Sequence, residues 1–191
     1  MNDFYAFTIK YNGMASRITT DVMVFKAFDP ANPPNPMYPA HSTNALWDTG
    51  ATKSVLTSAT ISALSLVPVG TTIVKHAGGS SQSNTYLVNI FLPNKVGMAG
   101  VLVSECSDIA GDFGAIIGMD IINRGDFSIT NCNGETCMSF RTPSIKTIDY
   151  VVEVDRLKYA GVSRNAPCPC GAKKQNGDLI KFKFCHGKNL P

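Results

Sequence analysis

Residues 45–56 read ALWDTGATKSVL, and this stretch decides how the rest of the chain is interpreted. The apolar run Ala45-Leu46-Trp47 is typical of a strand, and Asp48-Thr49-Gly50 then forms a turn that leaves a carboxylate at the end of that strand. Further along, residues 114–120 read GAIIGMD, an apolar pair followed by glycine. Asp48-Thr49-Gly50 occurs once in the chain. A site made of two such carboxylates therefore requires two copies of the chain.

The composition is that of a folded domain with a small appendage. The chain has 191 residues, of which 44% are hydrophobic and 16% are charged. These values suit one substantial core and argue against a disordered or coiled-coil protein. No apolar run approaches the roughly 20 residues that a membrane span needs, and the N-terminus lacks the basic start and apolar core of a secretory signal. We therefore predict a soluble, cytoplasmic protein with no membrane partner.

Charge divides the chain into two unlike parts. Residues 1–163 hold 11 basic and 13 acidic residues, a net charge of −2. Residues 164–191 hold six basic residues and one acidic residue, a net charge of +5. The basic part also contains three cysteines and a histidine: Cys168, Cys170, Cys185 and His186. The last 28 residues are therefore predicted to form a separate module.

The other three cysteines, Cys106, Cys132 and Cys137, are scattered through the larger part. In a reducing compartment they are predicted to be small buried hydrophobes. Cys132 and Cys137 flank a predicted hairpin, so a disulfide or a metal site remains an alternative for that pair.

Strand-like runs separated by turns predict a mainly β protein that forms a closed barrel or a sandwich. These runs are residues 4–11, 17–28, 43–47, 71–75, 86–92, 100–104, 127–132 and 136–140. Asn12-Gly13 and Asn133-Gly134 are strong hairpin signals. Residues 29–42 contain five prolines and predict a loop. Residues 76–85 lack bulky apolar side chains and predict a mobile hairpin tip.

Helix signals are few. Thr57 or Ser58 is a candidate cap for a short helix over residues 59–64, and residues 119–123 predict a second one that ends near Gly125. Residues 145–157 are ambiguous, because their β-branched content favours a strand while their length permits a helix.

Together these features resemble the retropepsin-like aspartic proteases, in particular bacterial single-domain versions of the retroviral enzyme. The matching pieces are, in chain order, residues 47–52, Ala77-Gly78-Gly79, Leu92-Pro93-Asn94, residues 111–120 and Gly125-Asp126-Phe127. The resemblance implies a closed β-barrel with the acid protease fold, one lobe per chain, over residues 1–145. A connecting segment, residues 146–163, and a zinc-stabilised module, residues 164–191, would follow.

The same resemblance implies that Asp48, Thr49 and Gly50 are catalytic residues of an aspartic endopeptidase. Two neighbouring carboxylates cannot both ionise cheaply, so the Asp48 pair of a homodimer would share one proton. The ionised member would take a proton from water, and the protonated member would hydrogen-bond the peptide carbonyl. Gly50 would let the backbone approach the carboxylate closely and donate to it. Thr49 would bond to the matching loop of the partner chain.

Flap and substrate-binding residues are also implied by the resemblance: Ala51, Ala77, Gly78, Gly79, Ile116, Ile117 and Gly118. An extended peptide would bind as an added strand, and the flap would close over it and exclude water. Many viral members carry aspartate where this chain has Thr52. The substrate preference and the dimer geometry of those members are therefore not transferred to this chain.

Residues 164–171, RNAPCPCG, and residues 184–187, FCHG, resemble the SEC-C motif, a small zinc-binding element. The resemblance implies that Cys168, Cys170, Cys185 and His186 hold a structural Zn²⁺, a tetrahedral set of three thiolates and one imidazole. Because so short a unit has only a small hydrophobic core, metal binding would be what makes it fold. Residues 171–184 separate the second and third ligands by more than is usual for the motif, with Asn176-Gly177 predicted at the tip of the insertion.

The positive charge of this module predicts an acidic protein partner. A retroviral zinc knuckle has a ligand spacing that this chain lacks, which favours a protein partner over nucleic acid. A second function fits the same residues: a non-catalytic, dimeric peptide-binding module whose zinc-bound tail recruits a partner.

Overall fold

The computed structural model describes residues 4–76, 79–107 and 111–189. The chain divides into two compact units, Met1–Ile145 and Lys146–Pro191. No helix in the described part of the chain is both long and apolar enough to cross a lipid bilayer.

Strands dominate the first unit. They are β1 (Tyr5–Lys10), β2 (Thr19–Lys26), β3 (His41–Trp47), β4 (Val55–Thr57), β5 (Gly70–His76), β6 (Gly79–Leu92), β7 (Val96–Cys106), β8 (Ala115–Ile117), β9 (Asp126–Thr130) and β10 (Cys137–Thr142). Two short helices join them: α1 (Ser58–Ala63) and α2 (Met119–Ile122). Thr57 caps α1, because its side chain accepts a hydrogen bond from the Thr60 N–H.

Six of these strands form a closed barrel, which confirms the predicted fold class. Their hydrogen-bonded order is β2, β3, β8, β4, β7, β6, and β6 then pairs back with β2 from Met23↔Phe91 to Lys26↔Val88. The strand β5 extends the sheet as an antiparallel hairpin arm with β6. Closure leaves the six strands with a partner on both sides, so the edges that invite aggregation are removed.

The barrel core follows from alternating apolar positions on its strands. Val22 and Val24 of β2 are buried while their neighbours face outward, as the period of two requires. A separate sheet of β1, β10 and β9 contributes Phe7, Phe127 and Phe140 to the same core. Trp47 stacks on Phe127 with a centroid distance of 5.4 Å. The strand that leads to Asp48 is therefore anchored in the core by its last residue.

The prediction of a hairpin at Asn12-Gly13 is wrong. Gly13 does turn the chain, with φ at +95°, but the strands on its two sides belong to different sheets. β1 pairs with the distant β10, from Tyr5↔Thr142 to Lys10↔Cys137. A local turn signal does not specify the strand partner, which here is decided by burial of the outer sheet against the barrel. The hairpin predicted at Asn133-Gly134 is confirmed, since β9 and β10 pair on either side of it.

The ten-residue hairpin tip predicted over residues 76–85 is also wrong. The ladder between β5 and β6 continues without interruption from Gly70↔Thr85 to His76↔Gly79. The polar side chains at 80–85 lowered the expectation of a strand, but backbone pairing with β5 does not need apolar side chains. Ala77 and Gly78 lie outside the described residues.

The three scattered cysteines are not all buried. Cys132 is exposed, whereas Cys106 and Cys137 are half-buried. Cys132 lies in the turn after β9, beyond the edge of the core. The prediction of buried thiols is therefore wrong for Cys132.

In the second unit, residues 146–163, predicted to be a connecting segment, contain a helix, α3 (Tyr150–Lys158). The Asp149 carboxylate caps it by accepting from the N–H groups of Val151 and Val152 at 2.9 and 3.1 Å. This cap settles the ambiguity of residues 145–157 in favour of a helix. Tyr159, directly after α3, is buried with Phe182 and Cys168 in a small apolar cluster.

The insertion between the second and third cysteines of this unit forms a short turn. Lys173 and Leu179 make an antiparallel bridge, and the Lys174 N–H donates to the Asp178 carbonyl at 2.8 Å. Gly177 has φ at +88°, in the left-handed region where glycine is favoured. The predicted tip at Asn176-Gly177 is therefore present.

Candidate active site and metal cluster

Asp48 lies immediately after β3, on a loop that starts where two parallel strands end. β3 and β8 are parallel, with Trp47 opposite Ile117. The Asp48 N–H donates to the Ile117 carbonyl at 3.0 Å, so the ladder continues one residue into the loop. Asp48 is half-buried, while Thr49 and Gly50 are exposed. The carboxylate is thus fixed by the barrel and reachable from outside it.

The turn after Asp48 orients its carboxylate. The Gly50 N–H donates to Asp48 Oδ1 at 2.8 Å, and a Cβ at position 50 would lie 3.1 Å from that same oxygen. The Ala51 N–H donates to the Asp48 carbonyl at 3.2 Å and closes the turn. Glycine at position 50 leaves room for the carboxylate against the backbone, which is the arrangement expected from the sequence.

Gly118 packs closely against the backbone of the loop that follows Asp48. A Cβ there would lie 2.6 Å from the Lys53 carbonyl carbon and 2.9 Å from the Ala51 oxygen, so a side chain cannot fit without a shift of the backbone. The Met119 N–H donates to the Ala51 carbonyl at 2.8 Å. Of the apolar pair before Gly118, Ile117 is buried in the core and Ile116 is half-buried.

Sequence reasoning missed a polar pair that ties the loop to α2. Ser54 donates to Asp120 Oδ1 from its hydroxyl at 2.7 Å and from its backbone N–H at 2.9 Å. The Ser54 hydroxyl also accepts from the Gly118 N–H at 3.1 Å. Ser54 is 1% exposed, so these bonds satisfy a buried hydroxyl. The two residues are 66 positions apart, and no local pattern signals such a pairing.

In the sequence, the predicted flap residues Ala77, Gly78 and Gly79 follow directly after β5. Gly79 begins β6 and pairs with His76 at the end of the hairpin arm. Ala77 and Gly78 fall outside the described residues. The roles of Ala51, Ala77, Gly78 and Gly79 toward a substrate stay predictions.

A cleft of about 810 Å³ opens between the hairpin arm and the barrel. Its walls are Val55, Ser58, Thr71, Val74, Ser81, Gln82, Ser83, Asn84, Ser104, Glu105, Cys106, Ser107 and Ile116. Val55 and Ile116 are direct strand partners, and Ile116 precedes the residue whose carbonyl holds the Asp48 backbone. The cleft therefore begins beside the Asp48 loop, although Asp48 itself does not line it.

In the second unit, Cys168, Cys170, Cys185 and His186 come together, with all four ligand atoms within 4.8 Å of one another. Sγ of Cys170 lies 3.4 Å from that of Cys168 and 3.6 Å from that of Cys185. His186 Nδ1 lies 3.3 and 3.4 Å from the outer two sulfurs. Two thiolates bound to one tetrahedral zinc ion lie about 3.8 Å apart, so the spacing fits a single metal ion.

Electrostatics in this cluster favour a cation. Burial opposes ionisation of Cys168, but hydrogen bonds from Cys170 and His186 outweigh it and lower the pKa of the thiol to about 6. The hydrogen bond to Cys170 and burial raise the pKa of Cys185 to about 11. Without a cation the sulfurs therefore cannot all ionise together at neutral pH. The four residues could hold a metal ion, which would stabilise the thiolates.

Comparison with solved structures finds similarity to retroviral-type proteases. The chain is similar to the EIAV protease in complex with the inhibitor HBY-793, with 24% identity, a TM-score of 0.42, and 59% of this chain and 89% of that chain covered. It is similar to a retropepsin-like aspartic protease from Rickettsia conorii, with 10% identity, a TM-score of 0.45, and coverage of 74% and 98%. It is also similar to the simian foamy virus (mac) protease, with 15% identity and a TM-score of 0.35. This match covers 55% of this chain and 91% of that chain. No family model and no curated protein matches the chain.

Proposed function

We propose that this protein is an aspartic endopeptidase that acts as a homodimer, with Asp48 of each chain forming the catalytic pair. One observation carries the proposal: the half-buried Asp48 carboxylate stands at the end of a barrel strand and accepts a hydrogen bond from Gly50 at 2.8 Å. A carboxylate held in this way has its position and orientation set before substrate arrives, which is what proton transfer in a transition state requires.

The chemistry needs two such groups. One ionised carboxylate takes a proton from water, which attacks the peptide carbonyl, and the protonated partner donates to the carbonyl oxygen. Thr49 and Gly50 are exposed at the loop tip, so the same loop of a second copy can reach them. Thr49 is proposed to bond across that contact.

The substrate is proposed to be an extended peptide segment. It would lie between the Asp48 loop and the hairpin arm of β5 and β6 and bind as an added strand. Residues 76–84, with Ala77, Gly78 and Gly79, would form the flap. The floor beneath the peptide would be formed by side-chain or backbone atoms of Ala51, Ile116, Ile117 and Gly118.

The second unit is proposed to be a SEC-C-like module that docks a partner. Zinc suits its three thiols and one imidazole, and it would supply structure alone. Phe184 is 67% exposed and Lys183 lies over its ring at 5.1 Å. An aromatic side chain among basic residues suits an acidic protein segment, and that attraction would weaken as salt rises. A reducing cytoplasm is the proposed location.

The test is cleavage of a peptide library by the purified protein between about pH 4 and 7.5, the range over which carboxylates change protonation. Asp48→Asn keeps the size of the side chain but removes the acid, so we expect cleavage to fall to background while the fold and the dimer remain. Asp21→Asn is the matched control, because Asp21 is an exposed residue of β2. It should cleave like the unmodified protein.

Cleavage that survives in pure Asp48→Asn protein would overturn the mechanism. If the unmodified dimer, loaded with metal, binds peptides but cleaves none, the non-catalytic peptide-binding module is the better description.

A further inference from the structure

Glu105 is the charged residue among the described residues that line the cleft beside the Asp48 loop, and the proposed chemistry does not use it. It lies near the end of β7 and is half-buried. Its carboxylate accepts hydrogen bonds from the Tyr86 hydroxyl at 2.7 Å and from the Ser58 hydroxyl at 2.8 Å. The Asn84 side-chain amide approaches the same carboxylate at 3.4 Å.

The backbone of Glu105 is fixed as well. The Ser83 hydroxyl donates to the Glu105 carbonyl at 2.7 Å and accepts from the Glu105 N–H at 3.1 Å. Side chains from α1 and β6 thus hold this residue from two directions. Such a side chain loses little conformational entropy when a ligand binds, which favours recognition of one chemical group over others.

Glu105 is ionised at neutral pH. The hydrogen bond from Tyr86 and then that from Ser58 hold the pKa of Glu105 below its usual value, against the opposing effect of burial. Among the side chains that the structure describes, the ion pair that forms is Arg141 with Asp126, far along the chain from Glu105. The charge of Glu105 is therefore balanced by neutral hydrogen-bond donors, and a cation placed in the cleft would be attracted to it.

The other walls of the cleft suit the apolar methylene stem of a long cationic side chain. Three neighbouring strands, β8, β4 and β7, carry a continuous row of residues, because Val55 pairs with Ile116 on one side and with Ser104 on the other. This row ends at Ser104, the residue before Glu105 on β7, and Ile116, Val55, Ser104 and Glu105 all line the cleft. Lysine and arginine pack their methylene stems on apolar surface and keep their charge at a polar group. Val55 and Ile116 offer the apolar surface, and Glu105 offers the carboxylate.

We propose that Glu105 determines specificity by selecting a lysine or arginine side chain of the bound peptide, close to the bond that is cut. The stem packs on Val55 and Ile116, and the charged head pairs with the Glu105 carboxylate. The inference rests on the proposed endopeptidase function for the position of the peptide, but its binding step is separate from catalysis.

The test measures binding in the Asp48→Asn protein, so it does not depend on cleavage. Two peptides are chosen from the library by their binding to the Asp48→Asn protein, and they are identical except that one carries lysine and the other its neutral isostere norleucine. We expect the lysine peptide to bind about tenfold more tightly, since a hydrogen bond to a charged group stabilises more than a neutral one. Adding Glu105→Gln should remove that preference, because glutamine keeps the shape and hydrogen-bonding capacity but not the charge.

Glu135→Gln is the matched control, since Glu135 is exposed at the turn between β9 and β10; it should leave the preference intact. A charge-reversed variant, Glu105→Lys, should favour a glutamate peptide over the lysine peptide. Equal binding of the lysine and norleucine peptides to the folded parent, or a preference that survives Glu105→Gln, would overturn the inference. Cleavage without a basic preference would overturn it too, while a basic preference in binding without any cleavage would overturn the proposed function alone.

Discussion

At the scale of single residues, the candidate active site is fixed by backbone contacts that leave no room for side chains. Gly50 brings its N–H to Asp48, and Gly118 lets the loop backbone rest on the end of β8. Ser54 and Asp120 join the same loop to α2 through partly buried hydrogen bonds. The position of the carboxylate therefore depends on residues that do not themselves contact a substrate.

Gly118→Ala tests this support. Its Cβ would meet the Lys53 and Ala51 backbone at 2.6 to 2.9 Å, and backbone atoms cannot yield as a flexible side chain can. We expect the free energy of unfolding to fall by about 1–3 kcal/mol, the usual cost of overpacking, together with a loss of cleavage. Urea denaturation followed by tryptophan fluorescence measures the first effect.

Gly70→Ala is the comparison for that experiment. A Cβ at position 70 would lie 3.3 Å from the Thr85 side chain, which can move aside, so a much smaller loss of stability is expected. Equal stability losses in the two variants would contradict the account of Gly118.

At the scale of elements, the two units are stabilised by different means. The barrel buries a large apolar core built from its six strands and the outer sheet. The described core of the second unit is small: Tyr159, Cys168 and Phe182 are buried, with Val162 and Cys185 packed against them. Three-residue cores of this kind do not offset the loss of chain entropy, so we propose that a metal ion bound to the four-residue cluster holds the fold.

Cys185→Ser should therefore unfold the second unit and spare the barrel. We expect bound zinc to fall from about one ion per chain toward zero. Hydrogen exchange of residues 146–189 should become fast, while cleavage of a short peptide is unchanged. Metal analysis and hydrogen exchange followed by mass spectrometry report the two effects.

Cys132→Ser provides the control, because Cys132 is an exposed free thiol of the first unit. The metal content and the hydrogen exchange of this variant protein should match those of the unmodified protein. Loss of exchange protection in the barrel of Cys185→Ser protein would show that the two units are not independent in stability.

At the scale of the whole molecule, the chain carries one Asp-Thr-Gly loop, and a site that needs two carboxylates requires a symmetric dimer. A two-fold axis would bring the same loop from both copies together, so each copy contributes the same residues to one shared site. Under the proposed function, activity would belong to the dimer and not to the single chain.

Mixing unmodified protein with an equal amount of Asp48→Asn protein tests this arrangement. Random exchange of subunits leaves about one quarter of the dimers with both acids, so activity per total protein should fall about fourfold. A mixture with Asp21→Asn protein should keep full activity. Activity that falls only twofold, after exchange is shown to be complete, would mean that each chain works alone.

Much of the fold was predictable because it follows from patterns that are local in the sequence. The alternation of apolar residues in β2 and the turn at Asn133-Gly134 are read within a few residues, as is the cap at Thr57. The resemblance of residues 164–171 and 184–187 to the SEC-C motif likewise predicted the cluster of Cys168, Cys170, Cys185 and His186. The position of Asp48 at the end of a strand was determined by the sequence for the same reason.

Tertiary structure alone decided the pairings between distant residues. β1 joined β10 instead of crossing the Asn12-Gly13 turn, and β6 ran through polar residues because β5 offered it a complete ladder. Asp120 reached Ser54 across 66 positions, and Glu105 came to the cleft because β4 separates β7 from β8. These contacts are decided by which surfaces must be buried together when the barrel closes, a property of the whole chain that no short stretch contains.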